Sequence, residues 1–66
     1  MQTSGRSGQF LKDHRLDARL SQITLAAALG VSRQTLISWE QRAIVPAAKA
    51  DAYLRVVREL ATRDAA

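Results

Sequence analysis

Four side chains between positions 33 and 38 combine hydrogen-bonding groups with an apolar group at close spacing. Arg33 offers paired donors that match the edge of guanine, and Gln34 offers a donor and an acceptor that match adenine. Ser38 is short enough to approach a base or a phosphate, and Ile37 suits the methyl group of thymine. The alternative is an ordinary solvated helix face, which would have a similar composition.

These side chains need a helix to bring them to one surface. Ser32 is a good N-cap, because its hydroxyl can accept from a free backbone N–H, and the sequence predicts a helix from Arg33 to Gln41. At about 100° per residue, one side of this helix carries Gln34, Ile37, Ser38 and Gln41, with Arg33 and Arg42 on its flanks. The opposite side collects the residues expected in the core: Leu36, Trp39, Glu40 and Ala43.

A second short helix is predicted immediately upstream, from Gln22 to Leu29. Ser21 is its N-cap, and Gly30 follows at the place where a positive φ commonly ends a helix. Only Gly-Val-Ser separates the two helices, and Ala26 is small where they should cross. This spacing is typical of a helix-turn-helix, whose second helix enters the major groove of DNA.

Two further helices complete the predicted fold. The first runs from Gln9 to about Ala18, and the last runs from Ala47, after Pro46, to about Thr62. We therefore predict a small all-α domain of four helices over residues 9–62, with a fifth helix as the alternative. Residues 1–8 are expected to form a flexible tail, and residues 63–66 a frayed end.

Composition favours a binding protein over an enzyme. The chain has 66 residues, a net charge of +4 and no cysteine. The positive charge favours a polyanion as partner. His14 is the single histidine, so we expect no metal site, no catalytic residue and no cofactor. There is no apolar run of membrane-spanning length and no signal-peptide pattern, and the lack of cysteine suits the cytoplasm.

The central segment contains the motif Leu20-Ser21-Gln22, Leu25-Ala26, Leu29-Gly30-Val31-Ser32-Arg33, Thr35-Leu36 and Trp39-Glu40. Through this motif it resembles the lambda repressor and Cro-like family of DNA-binding domains, also called the Xre family. The resemblance covers about residues 11–46 and implies a helix-turn-helix fold, base contacts by Arg33, Gln34 and Ser38, and a phosphate-binding or bracing role for Gln22. Arg15 and Pro46 also match family positions.

Phosphate contacts are expected around the predicted base-reading side chains. Free N–H groups at the start of the second helix favour an anion there, although Ser21 has N-capping as an equal alternative. The full set of expected phosphate contacts is Ser21, Gln22, Thr35, Gln41 and Arg42.

Arg15 and Glu40 are charged residues on predicted core faces. Arg15 lies four residues after Leu11, and Glu40 lies four residues after Leu36. Single charges near a core are costly, whereas a hydrogen-bonded pair is tolerated. We predict that the two side chains pair, as the resemblance also implies, and that the pair orients the second helix of the motif.

Several positions depart from the family pattern. Arg19 and Arg42 stand where glycine is common, so a positive φ there would be strained; the alternatives are added phosphate contacts or a different loop geometry. Ile23 and Ile37 replace residues that are usually polar, and both are predicted to point away from the core. They indicate either a partner surface or ordinary exposed apolar residues.

The last helix has an apolar stripe wider than one small domain needs to cover. We interpret the excess as a homodimer contact formed by Ile44, Val45, Ala52 and Val56. The predicted function is a prokaryotic or phage transcriptional regulator, a repressor, that binds double-stranded DNA at an inverted repeat on the nucleoid. The alternative is an antitoxin-like interaction module that also binds its own promoter, with a toxin or antirepressor as partner.

Overall fold

The computed structural model describes residues 5–65, with side chains up to residue 63. Its four helices are α1 (Gly8–Asp17), α2 (Gln22–Leu29), α3 (Arg33–Glu40) and α4 (Ala47–Ala65). No strand is present within this range; an isolated antiparallel bridge joins Arg6 to Val45. The prediction of a small four-helix all-α domain is confirmed. None of these helices is both long enough and apolar enough to span a membrane.

Serine side chains fix where the first three helices begin. Ser21 Oγ accepts from the amide of Thr24 at 3.0 Å, and Ser32 Oγ accepts from the amide of Thr35 at 3.1 Å. Ser7 caps α1 in the same way, so this helix begins one residue earlier than predicted. Each cap satisfies a backbone donor that would otherwise lack an intrahelical partner.

Glycine ends α2 as the sequence predicts. Gly30 has a φ of 77°, in the left-handed region, and its amide bonds to carbonyl groups of the last turn of α2. Arg19 also has a positive φ, of 61°, whereas Arg42 does not. The expectation of strain therefore applies to the turn between α1 and α2 only.

The core lies where the four helices meet. α2 packs against α3 and α4, and α1 also packs against both of these helices. Within the described part of the chain, no Cα atom of α3 lies within 8 Å of a Cα atom of α4. The buried apolar residues are Leu11, Leu20, Leu25, Ala26, Leu36, Val45, Ala50, Tyr53 and Val57.

Four residues of the predicted flexible tail belong to the fold instead. Arg6 exchanges two backbone hydrogen bonds with Val45, at 3.1 and 2.7 Å, and its guanidinium lies over the ring of Phe10. The amide of Gly8 donates to the carbonyl of Arg42 at 2.9 Å. These contacts attach residues 5–8, which we call the N-terminal arm, to the loop after α3. The rest of the predicted tail, residues 1–4, lies outside the described residues.

Two other expectations differ from the structure. Ala43, predicted on the core side, is exposed because α3 ends at Glu40 and the chain changes direction. α4 continues to Ala65, past the predicted end at Thr62. Tyr53 is 0% exposed, so its hydroxyl lies inside the protein.

Candidate nucleic-acid interface

The outer side of α3 carries three of the four predicted base-reading side chains in exposed positions. Arg33 and Gln34 lie in its first turn, Ser38 lies one turn further on, and all three are exposed. Ile37 lies between them but is half-buried. The opposite side is fixed in the core by Leu36, which is 0% exposed. α3 therefore presents a polar surface of fixed orientation, as sequence periodicity predicts.

The predicted phosphate-contacting residues lie at both ends of α3 and at the start of α2. Ser21, Thr35, Gln41 and Arg42 are exposed, whereas Gln22 is half-buried. Thr35 takes part in the cap of α3: its hydroxyl accepts from Ser32 Oγ at 3.0 Å. Ser21 caps α2, and its Oγ also donates to Thr24 Oγ1 at 2.9 Å. Capping leaves both hydroxyls on the surface beside α3.

A basic depression lies where α1, α2 and the start of α3 meet. Its lining includes Lys12, Ser21, Gln22, Ile23 and Arg33. Lys12 was not among the residues predicted to bind a phosphate. In a helix, residues three apart are neighbours. The spacing of Lys12 and Arg15 could therefore have predicted that both line the same depression. Lys12 and Arg33 together supply two cations at the edge of the α3 surface.

Glu40 is the centre of a buried hydrogen-bond network beneath this surface. Arg15 Nε donates to Glu40 Oε2 at 2.7 Å, and Arg15 Nη2 donates to Oε1 at 3.1 Å. The third Arg15 donor, Nη1, bonds the carbonyl of Leu20 at 3.0 Å. The two residues that the sequence predicts as an ion pair therefore meet in a bidentate geometry, with Arg15 only 5% and Glu40 only 6% exposed.

Two more donors complete the coordination of the carboxylate. Gln22 Nε2 donates to Glu40 Oε1 at 3.2 Å, and the Tyr53 hydroxyl donates to Oε2 at 2.5 Å. Glu40 thus bonds to α1, α2 and α4 while it belongs to α3. Sequence reasoning missed Tyr53, because neither its spacing nor its type distinguishes it from an ordinary core aromatic residue.

This network keeps Glu40 ionised and Tyr53 neutral. Burial alone would raise the pKa of Glu40, but the hydrogen bonds from Arg15, Tyr53 and Gln22 outweigh burial and lower that pKa. Burial, followed by the hydrogen bond to Glu40, raises the pKa of Tyr53. The hydrogen bond to Glu40 raises the pKa of Arg15. Every buried polar side-chain atom in the described part of the chain has a partner.

One of the predicted dimer-contact residues does not lie on the surface. Val45 is 0% exposed, because it is enclosed in the core and its backbone pairs with Arg6, so it cannot contact a second subunit. Its neighbour Ile44 is 57% exposed. Ala52 and Val56 are half-buried on α4. Of the four proposed residues, therefore, at most Ile44, Ala52 and Val56 are accessible for a dimer contact.

The two isoleucines that depart from the family pattern have different environments. Ile23 is 66% exposed and lies at the basic depression beside Lys12 and Arg33. Ile37 is half-buried and lines a groove with Gln41 and Arg42. The prediction that both point away from the core therefore fits Ile23 better than Ile37.

Comparison with known proteins identifies the family. No curated protein and no solved structure gave a match. A family model described as helix-turn-helix matches residues 11–56. The match begins in α1 and ends in α4, and so it includes the whole α3 surface and the residues around Glu40. The chain belongs to this helix-turn-helix family of lambda repressor and Cro-like, Xre-type DNA-binding transcriptional regulators.

Proposed function

We propose that this protein is a sequence-specific repressor of prokaryotic or phage origin that reads the major groove with α3. The observation that carries the proposal is the division of α3 into two sides. Arg33, Gln34 and Ser38 are exposed together, while Leu36 and Glu40 on the other side are buried. The N-terminal part of such a helix reaches base edges, and Arg33 and Gln34 occupy that part.

Phosphate contacts supply the larger, sequence-independent share of the affinity. We assign them to Ser21, Gln22, Thr35, Gln41 and Arg42, and we add Lys12. Five of the six line the basic depression or the groove beside α3, and Lys12 and Gln22 line both. Thr35 lies in the first turn of α3 itself. Binding to DNA places the protein on the nucleoid.

A homodimer is the form in which we expect the protein to bind. Two-fold symmetry would place two copies of α3 in successive major grooves about 34 Å apart, so the binding site would be an inverted repeat. The exposed side chain of Ile44 and the surface of α4 around Ala52 and Val56 are the proposed contact.

Selection of binding sequences from random DNA, followed by footprinting, tests this function. We expect an enriched inverted repeat whose two half-sites are protected about one helical turn apart. The variant that carries both Arg33→Ala and Gln34→Ala should retain its fold, since both side chains are exposed, and should enrich no sequence. Failure of the unchanged protein to enrich any sequence would refute specific recognition.

An antitoxin-like interaction module is the second candidate, favoured by the exposure of Ile23 and Ile44. If Ile23 serves a protein partner such as a toxin, Ile23→Ser should leave DNA affinity unchanged. If Ile23 instead packs against the DNA backbone beside Lys12 and Arg33, the same change should weaken binding to every DNA sequence.

A further inference from the structure

Tyr53 hydrogen-bonds α4 to α3, two helices whose backbones lie apart. α3 and α4 have no Cα atoms within 8 Å of each other in the described part of the chain. The Tyr53 hydroxyl crosses this gap and donates to Glu40 Oε2, and among the described residues it is the one hydrogen bond between the two helices. A side chain of α4 is therefore bonded directly to the last residue of α3, in addition to the packing of both helices against α1 and α2.

The carboxylate that receives this bond is also bound from the DNA-facing side. Glu40 Oε1 accepts from Gln22, which lines the basic depression beside Arg33. Arg15 also binds both oxygens, so Tyr53 is one of the donors that together fix the direction of this rigid carboxylate. Tyr53 and Gln22 are thus connected through a single residue, Glu40, and Gln22 lies beside the α3 surface.

Two features of this hydrogen bond make it strong: the burial of its donor and the charge of its acceptor. Tyr53 is 0% exposed, so water does not compete for its hydroxyl, and the acceptor is ionised. A hydrogen bond to a charged group contributes more than one between neutral groups.

We propose that Tyr53 is a positioning residue for DNA recognition, in that its hydroxyl fixes the orientation of α3 through Glu40. This inference rests on the proposed function, because it assigns to Tyr53 an effect on DNA selectivity beyond its contribution to the core. Tyr53 itself lies behind α3 and touches no DNA.

Tyr53→Phe is the decisive variant, since it removes the hydroxyl and keeps the ring in the core. Its matched control is Val57→Ala, which weakens the packing of α4 one helical turn away without changing a donor to Glu40. Both variants are compared with the unchanged protein by thermal unfolding and by titration with the sequence obtained from random-DNA selection. A second titration uses the same DNA with its recognised bases scrambled.

For Tyr53→Phe we expect a loss of about tenfold on the selected sequence, because a displaced α3 weakens about one base contact, and little change on the scrambled DNA. Val57→Ala should lose stability but retain this selectivity below its unfolding temperature. Equal selectivity of Tyr53→Phe and the unchanged protein would overturn the proposal. A loss shared equally by both variants would also overturn it, because that result indicates a stability effect alone.

Backbone amide chemical shifts provide a test that does not depend on DNA. Removal of the hydroxyl should shift amide resonances throughout α3, from Arg33 to Glu40, because the helix moves. Shifts confined to α4 would overturn the positioning role. If the unchanged protein selected no DNA sequence, the proposed function would fail, and this measurement would still decide whether Tyr53 positions α3.

Discussion

The backbone of Gly8 packs directly against the carbonyl oxygen of Glu40, at a distance that leaves no room for a Cβ atom. The same Cβ would also meet the carbonyl oxygen of Trp39. The amino end of α1 is thus pressed against the carboxyl end of α3, where the partial charges of the two helix ends attract. Because both atoms that a side chain would meet are backbone atoms, neither can rotate away.

Gly8→Ala should therefore destabilise the protein, although alanine is intrinsically the better helix former. We expect a loss of about 1–3 kcal/mol in the free energy of unfolding, as for other overpacked sites, measured by urea denaturation. Gly30→Ala is a useful comparison, since an added Cβ there meets nothing within 4 Å and tests only the cost of a φ of 77°. Unchanged or increased stability of Gly8→Ala would contradict the close approach.

Alkaline pH should unfold the protein through Tyr53. Burial raises the pKa of this hydroxyl above its ordinary value of 10.0, so the unfolded chain loses the proton first as pH rises. Stability is therefore fully present below pH 10 and falls above it, because the unfolded state then binds fewer protons. Since Tyr53 is the one tyrosine in the chain, tyrosinate absorbance follows its ionisation directly.

Tyr53→Phe supplies the control for this pH dependence. Its unfolding free energy should decline less between pH 10 and pH 12 than that of the unchanged protein. Formation of tyrosinate near pH 10 while the helices remained intact would contradict a buried hydrogen bond between Tyr53 and Glu40.

Arg33→Ala should reduce sequence preference more than general affinity. We expect a loss of about 1–3 kcal/mol on the selected sequence, concentrated at one base pair, in a titration against single-base variants of that sequence. An equal loss on all sequences would instead assign Arg33 to a phosphate, as its place beside Lys12 in the basic depression also allows.

Lys12→Ala should weaken binding to all DNA sequences alike. A lost phosphate contact lowers the slope of log affinity against log salt by about one unit. Arg58→Ala is the matched control: it removes the same charge from a groove formed by the outer parts of α1 and α4, away from α3. Equal salt slopes for Lys12→Ala and the unchanged protein would rule out a phosphate contact by Lys12.

The features predictable from the sequence are those with a local cause. Ser21, Ser32 and Gly30 act within one helical turn of their own positions, and so their roles follow from residue type and spacing. The contact between Arg15 and Glu40 was also predictable, because two opposite charges on core faces are costly to bury unless they pair.

The features that escaped prediction depend on contacts between distant residues. No local pattern in the sequence predicts the bridge between Arg6 and Val45. Because of it, part of the predicted tail belongs to the fold, and Val45, predicted at a dimer surface, lies in the core. Likewise, an apolar stripe on a helix shows that Tyr53 is buried but not which acceptor its hydroxyl reaches. Only the three-dimensional arrangement supplies that partner.

The N-terminal arm has a practical consequence for anyone who handles this protein. The two backbone hydrogen bonds between Arg6 and Val45 hold this arm beside the loop that follows α3. If α3 enters the major groove as we propose, a purification tag or fluorescent reporter joined ahead of the arm would crowd the duplex and lower the measured affinity for reasons unrelated to the native side chains. A comparison of amino-terminal and carboxyl-terminal fusions would therefore test whether the arm lies close to bound DNA.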